Sequence, residues 1–287
     1  MSTTDPLAAA HTRLREYRGS GRAAFLTTLW GILLLASGAT LAYAFSGLFD
    51  LLRAATLNSI FSDTPDGPLG AHFFWLLPIG FIGSLLSFAL HRIWGTRFTG
   101  TLFTPVLGTL TIALIGWSIA AWYAASLFVR PDRIGTTVDP AFGQNEPWGV
   151  WAWIMYAGRW WWPGIITTLC VISLIIGVVS RARRRRRTMI LDGLLTGGRR
   201  TPGLITSAPT ASPDAARVLG RLTIQFTDSA GTRRWIQPTV RLERALIPAV
   251  GSTVTVLFDP LKPGDTTRIF WSFGPGTTRE EFTQHTV

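Results

Sequence analysis

The stretch IITTLCVISLIIGVVSRARRRRR (165–187) is largely apolar to Val179 and then places six arginines in seven positions. Ten of the residues from Ile165 to Val179 are Ile, Leu or Val, worth about −3 to −6 kcal/mol toward membrane insertion, whereas one arginine at the centre of a span costs about +3 kcal/mol on the same scale. Six arginines cannot be drawn through a bilayer. Arg181, Arg183, Arg184, Arg185, Arg186 and Arg187 therefore stay on one side and mark where a membrane helix stops.

Three other stretches are as long and equally free of charge. Spans are expected at about 24–45, 73–90, 103–129 and 160–180, each close to or above the roughly 20 helical residues that cross a hydrocarbon core. The bulk composition agrees: 47% of the chain is hydrophobic and 15% charged, against about 25% charged in a soluble domain. All but one of the 27 cations are arginine, Lys262 being the exception, a bias that points to a GC-rich bacterial genome. Cys170 is the single cysteine, so no internal disulfide forms. The four histidines are scattered, His72 and His91 lying about 28 Å apart along one helix. No metal or cofactor spacing exists, and none is expected to bind.

Loop charge orients the spans. The tail 1–23 carries Arg13, Arg15, Arg18 and Arg22, and the 91–102 loop carries Arg92 and Arg97, while the 46–72 and 130–159 loops balance cations with carboxylates. The positive-inside rule puts the tail, the 91–102 loop and the arginine run in the cytoplasm. With four crossings, both termini lie inside a bacterial cytoplasmic membrane. Asp5, Pro6 and Gly19 predict a short helix in the tail. Ala42-Tyr43-Ala44 resembles a signal-peptidase site, but the apolar stretch before it is longer than a signal core.

The arginine run reads first as this stop signal and as a contact for anionic head groups, worth up to about 1 kcal/mol per residue. Lipid binding under regulation is the sharper alternative. Nucleic acid is the weakest partner, because no recognition module accompanies the run. Gly116, Ala120 and Ala124 recur every four residues and form a helix-packing face, used within the bundle or against another subunit. Trp148, Trp151, Trp153, Trp160, Trp161 and Trp162 read as an outer interfacial belt. The 147–159 segment is expected to be an interfacial or re-entrant helix or part of the last span, and 47–61 an interfacial helix or an extension of the first span.

After a polybasic linker at 181–198, alternation replaces long apolar runs. Candidate strands are 203–207, 217–227, 232–237, 253–258 and 267–272, with a hairpin turn at 228–231 and one helical turn near 240–246. They predict a small all-β domain over 199–274, a partly open barrel of the OB-like or SH3-like kind, and a tail over 275–287. The fold class is thus a four-helix integral membrane protein followed by a small cytoplasmic β-barrel.

Gly203-Leu204-Ile205, the IQFTDSAG stretch (224–231) and the VGSTVTVLFDP stretch (250–260), with Pro263 and Arg268-Ile269, carry a resemblance. Over about 70 residues this part resembles the bacterial membrane family catalogued as domain of unknown function 3592, whose pattern has tyrosine where Phe258 stands here. The resemblance implies a β domain in a membrane setting and supplies no functional residues. No nucleophile–base set, phosphate loop or paired carboxylate emerges, and Asp259-Pro260 reads as turn construction. The expected function is a non-enzymatic structural or accessory subunit acting through a protein partner or a homo-oligomer; the alternative is a ligand-responsive sensor or channel gated through the barrel.

Overall fold

The computed structural model describes residues 17–59, 69, 72–99, 108–143, 145–209, 217–243 and 247–283. The chain divides into two compact units, Met1–Val179 and Ser180–Val287. The helix expected in the N-terminal tail lies outside the described residues.

Four helices are long and apolar enough to cross a membrane: α1 (Gly21–Leu57), α2 (His72–Thr99), α3 (Thr109–Ser126) and α4 (Val150–Gly197). Ser20 starts α1 by accepting the Ala23 N–H through Oγ, and Asn58 ends it with its own N–H on the Ala54 carbonyl. The 47–57 stretch is therefore an extension of the first span. The third span is shorter than its sequence range: α3 stops at Ser126, and of 103–108 only Gly108 is described. Within the first unit α1 is central. A Cβ on Gly80 of α2 would lie 2.7 Å from the Leu41 nitrogen, and one on Gly116 of α3 would collide with the Leu35 carbonyl. Both neighbours thus meet α1 backbone to backbone, an approach only glycine permits.

α4 extends beyond the span expected at 160–180 at both ends. It takes in the 150–159 stretch as part of the same helix, passes through Pro163, and continues through the arginines expected to form a linker. Proline forfeits one intrahelical bond rather than the whole helix, and arginine is itself a strong helix former. The helix stops only at Gly197, where the Gly198 N–H closes on the Leu194 carbonyl at 2.7 Å.

A two-residue ladder pairs β1 (Thr136–Thr137) with β2 (Glu146–Pro147) in the first unit; in the second, β3 (Arg199–Ser207), β4 (Arg217–Arg221), β5 (Thr223–Thr227), β6 (Arg233–Ile236), β7 (Thr239–Glu243), β8 (Thr253–Phe258) and β9 (Ile269–Ser272) follow α4. Five of them make an antiparallel sheet in the order β6-β5-β3-β8-β9, curled into a half-barrel. β3 starts four residues before the sequence expectation, because Pro202 does not break it. β5 pairs with β3 only from Gly203 onward, so Pro202 sits where the strand has β8 alone beside it.

β4 to β7 form one long hairpin that changes sheets midway. Arg217 pairs with Glu243, Arg221 with Thr239 and Ile224 with Ile236 in a single unbroken register. At the bend the Leu222 N–H donates to the Pro238 carbonyl at 3.0 Å. Pro238 has no N–H to return, so the ladder is interrupted there and the hairpin folds over the core. Of the helical turn expected at 240–246, residues 240–243 belong instead to the strand β7, where Val240 and Leu242 alternate inward and are both buried, and 244–246 lie outside the described residues.

The core gathers Ile205, Leu222, Ile224, Phe226, Val256 and Phe258. Gly203 belongs to this inner face; a Cβ there would stand 2.8 Å from Val256 Cγ2 and 2.9 Å from Ile224 Cγ2. Phe258 is fully buried against Phe226, so a tyrosine hydroxyl there would need a partner inside the core. A second cluster covers the other side of β8 and β9, where Leu257 and Phe270 meet Leu191 and Leu194 of α4. It also takes Phe282 from α5 (Arg279–Thr283), a short helix in the segment expected to be only a tail.

The hairpin tip is closed by Asp228. Its carboxylate accepts the N–H groups of Ala230 and Thr232 and the Arg234 Nε at 2.7 Å, while Gly231 takes the positive φ of +80° that the three-residue turn requires. The Arg234 bond and these N–H groups hold the carboxyl below its ordinary range. A carboxyl lowered on folding stabilises above its unfolded pKa of about 3.9 and loses that contribution as pH falls through the lower folded value. Below pH about 4 the full-length chain in detergent should therefore lose half-barrel stability, and Asp228→Asn should flatten that slope while lowering stability at pH 7. Tryptophan-monitored unfolding from pH about 2 to 7 checks this; parallel slopes for the two proteins would contradict it.

Candidate functional site

In the first unit the polar chemistry collects at the end of α1. Asp50 and Arg53 are both 3% exposed and bond through Oδ1 and Nη1 at 2.9 Å. Together they hold both peptide groups of one residue beyond α3: Asp50 Oδ2 accepts the Val129 N–H at 3.0 Å, and Arg53 Nη1 donates to the Val129 carbonyl at 2.7 Å. The guanidinium also lies 5.4 Å from the Phe128 ring. Asn58 extends the clamp by accepting the Asp132 N–H. Arg53 Nε and Asn58 Nδ2 are buried without a hydrogen-bond partner among the described residues.

A seam of neutral hydroxyls joins α3 to α4. Thr111 and Ser173 meet at 2.8 Å, and Ser118 and Thr167 at 2.8 Å. Thr167 donates to the Pro163 carbonyl and accepts from Trp122 Nε1 at 2.9 Å. Its one proton is thereby used, so Ser118 must be the donor in their contact. On α2, buried His91 reaches Thr109 Oγ1 through Nδ1 at 3.3 Å.

Gly116, Ala120 and Ala124 turn into the first unit's interior, where Gly116 lies against Leu35 and Ala124 is fully buried beside Phe128. The tryptophans divide into two groups. Trp148 is 7% exposed, donates to the Leu57 carbonyl and meets Trp153 edge-on. Trp162 stacks on Phe49 at 4.9 Å and donates to Ser46 Oγ, and Trp161 donates to the Ile154 carbonyl. Trp151, Trp153 and Trp160 are exposed. Trp148 precedes α4 in a loop pinned against α1, which takes it out of any surface belt.

In the second unit Arg181, Arg183, Arg184, Arg185, Arg186 and Arg187 lie on α4. At about 100° per residue they point all round the axis rather than along one stripe. Arg183 to Arg187 are exposed, and the Arg187 guanidinium lies 5.5 Å from the Phe270 ring. Asp259 accepts the Leu261 N–H and Arg268 Nη1 at 2.7 Å, contacts that lower its carboxyl and close a turn. A groove of about 360 Å³ is lined by Arg200, Pro202, Thr253, Thr255, Phe273 and Pro275, among others. Among the described residues no three His, Cys, Asp or Glu side chains gather as metal ligands.

The fold defined here is a bundle of four long apolar helices with an appended antiparallel half-barrel, the class of a multi-pass membrane protein. No protein-family model, curated protein or solved structure matches the chain.

Sequence reasoning missed the Val129 clamp because its partners lie 76 and 79 residues apart. The seven-residue spacing of Thr111 and Ser118, two helical turns on one face, was the available signal for the seam. Removing one member of a buried ion pair leaves the other uncompensated. Asp50→Asn and Arg53→Met should each destabilise the detergent-solubilised protein by about 3–5 kcal/mol, read as thermal midpoint. A loss below about 1 kcal/mol would assign the pair a minor role.

Proposed function

We propose that the protein is a non-enzymatic subunit of a bacterial cytoplasmic membrane, anchored by four crossings with both termini inside. It presents a cytoplasmic OB-like or SH3-like barrel to a protein partner in a larger membrane complex. One observation carries this reading: the half-barrel closes a core of its own and still leaves Trp235 and Leu204, 57% and 43% exposed, on its outer face. Large apolar side chains held outward on a complete domain are what an interaction module displays.

The orientation rests on the arginine distribution, and the same run at Arg181 to Arg187 contacts anionic head groups at the inner surface. The resemblance to domain of unknown function 3592, carried by 203–205, 224–231 and 250–260 with Pro263 and Arg268-Ile269, belongs to this proposal.

Mild-detergent purification of the full chain, followed by mass determination, should yield a stoichiometric partner protein; a lone monomer or homo-oligomer would sink the accessory reading. Orientation is checked in the same strain with Ser229→Cys, exposed at the hairpin tip, on a Cys170→Ala background. Membrane-impermeant maleimide should label it only after the cells are opened, and labelling in intact cells would place the domain outside.

A further inference from the structure

The outer face of the half-barrel has a defined layout. Strand register sets Trp235 opposite Gln225, Gln225 opposite Leu204, and Leu204 opposite Thr253. These four form one row across β6, β5, β3 and β8. Their neighbours Ile236, Ile224, Ile205 and Val254 all lie in the core, so alternation sends the row itself outward. Thr253 is also a wall of the groove, which continues the row past β8 toward Phe273 and Pro275. From Trp235 to Thr253 is three strand spacings, about 14 Å, the reach of four or five extended residues.

The four strands of this face carry cations only. β3, β5, β6 and β8 contain no Asp or Glu, while Arg233 on β6 and Arg200 on β3 carry cations. Arg200 is braced in the groove wall, its Nε on the Gly276 carbonyl at 2.9 Å and its Nη2 on the Leu195 carbonyl at 3.3 Å. That bracing holds the guanidinium in place and leaves Nη1 to a guest. Glu281, beside the groove at Gly274, accepts the N–H groups of Gly276 and Thr277 and makes no ion pair with Arg200.

Resting on the reading of this domain as an interaction module, we infer that the face docks an acidic, extended segment of a partner protein with an apolar side chain among its carboxylates. The carboxylates pair with Arg200 and Arg233, an aromatic or proline side chain enters between Phe273 and Pro202, and the rest of the segment crosses Leu204 to Trp235. A single-stranded nucleic acid fits less well. Such binders stack successive bases on several rings, and this row offers one ring, with glutamine, leucine and threonine after it.

The test uses the full chain in detergent micelles. The probe is a fluorescein-labelled octapeptide pool alternating glutamate or aspartate with phenylalanine, leucine or proline. The acidic pool should bind, and the same pool with lysine in place of the acids should not. Trp235→Ala should weaken binding about thirtyfold, as loss of a central aromatic anchor does, and Arg200→Glu with Arg233→Glu should abolish it. Leu204→Asp, made separately, should repel the same pool, and each variant is first required to keep the wild-type thermal transition. Arg221→Glu, an exposed charge change outside the face, should bind as wild type.

Equal loss in Arg221→Glu would reduce the effect to net charge and overturn the inference. So would displacement of the pool by oligothymidylate or by phosphatidylglycerol vesicles, or no binding of the acidic pool at all. A native partner that co-purifies equally with wild type and the double arginine variant keeps the anchor reading and overturns this one. Peptide binding without any native partner does the reverse.

Discussion

A polar group buried among apolar side chains is costly unless a partner lies close by, and that constraint shapes both units. In the helical unit most hydroxyls are satisfied locally: Thr27, Thr40 and Thr168 each donate to a carbonyl four residues back. Those that are not bridge helices, as Ser118, Thr167 and Trp122 do around one oxygen. The Asp50–Arg53 pair is the extreme case. A single residue after α3 loses helical partners for both its peptide groups, and one carboxylate and one guanidinium on α1 supply them. A charged pair costs desolvation wherever it is buried; here that cost is offset by satisfying two backbone groups that would otherwise be unpaired.

The half-barrel obeys the same constraint through its backbone. A hairpin of this length with a full ladder would run straight on past the sheet. The one missing donor, at Pro238, lies where the chain must bend to bring Val240 and Leu242 over the core. The partner residue Leu222 keeps its own bond to the Pro238 carbonyl and becomes fully buried at the corner. A proline thus sets the position of the fold's corner without leaving any N–H unpaired, because it brings none.

What was legible in the sequence follows from how local each signal is. The helical spans and most of the strands are written in periodicities of one element, and the Asp228 to Gly231 turn in four adjacent residues. The continuation of α4 through the arginines was obscured because charge, read as topology, says nothing of backbone conformation, and arginine is content in a helix. The 240–246 stretch misled because VRLERAL carries apolar residues at both helical and strand spacing; only the partner strand β4 decides between them. The Val129 clamp joins residues far apart in sequence and has no local trace. The Trp235 row was half visible, since the hairpin marks Trp235 as a strand residue, but its neighbours are set by register across three strands.

The two units use their unusual residues differently, and the proposed recognition by the half-barrel rests on that difference. The described part of the bundle spends its unusual residues internally. Gly80 and Gly116 serve helix contacts, hydroxyls form the seam between α3 and α4, and the buried Asp50–Arg53 pair holds the Val129 peptide groups. The half-barrel distributes its residues in the opposite way. Its core is complete with aliphatic and aromatic side chains, its buried carboxylate Asp228 is consumed by the turn, and an aromatic ring, a leucine and two arginines remain outward. The half-barrel closes its core without those four side chains, so a partner can meet them without opening that core.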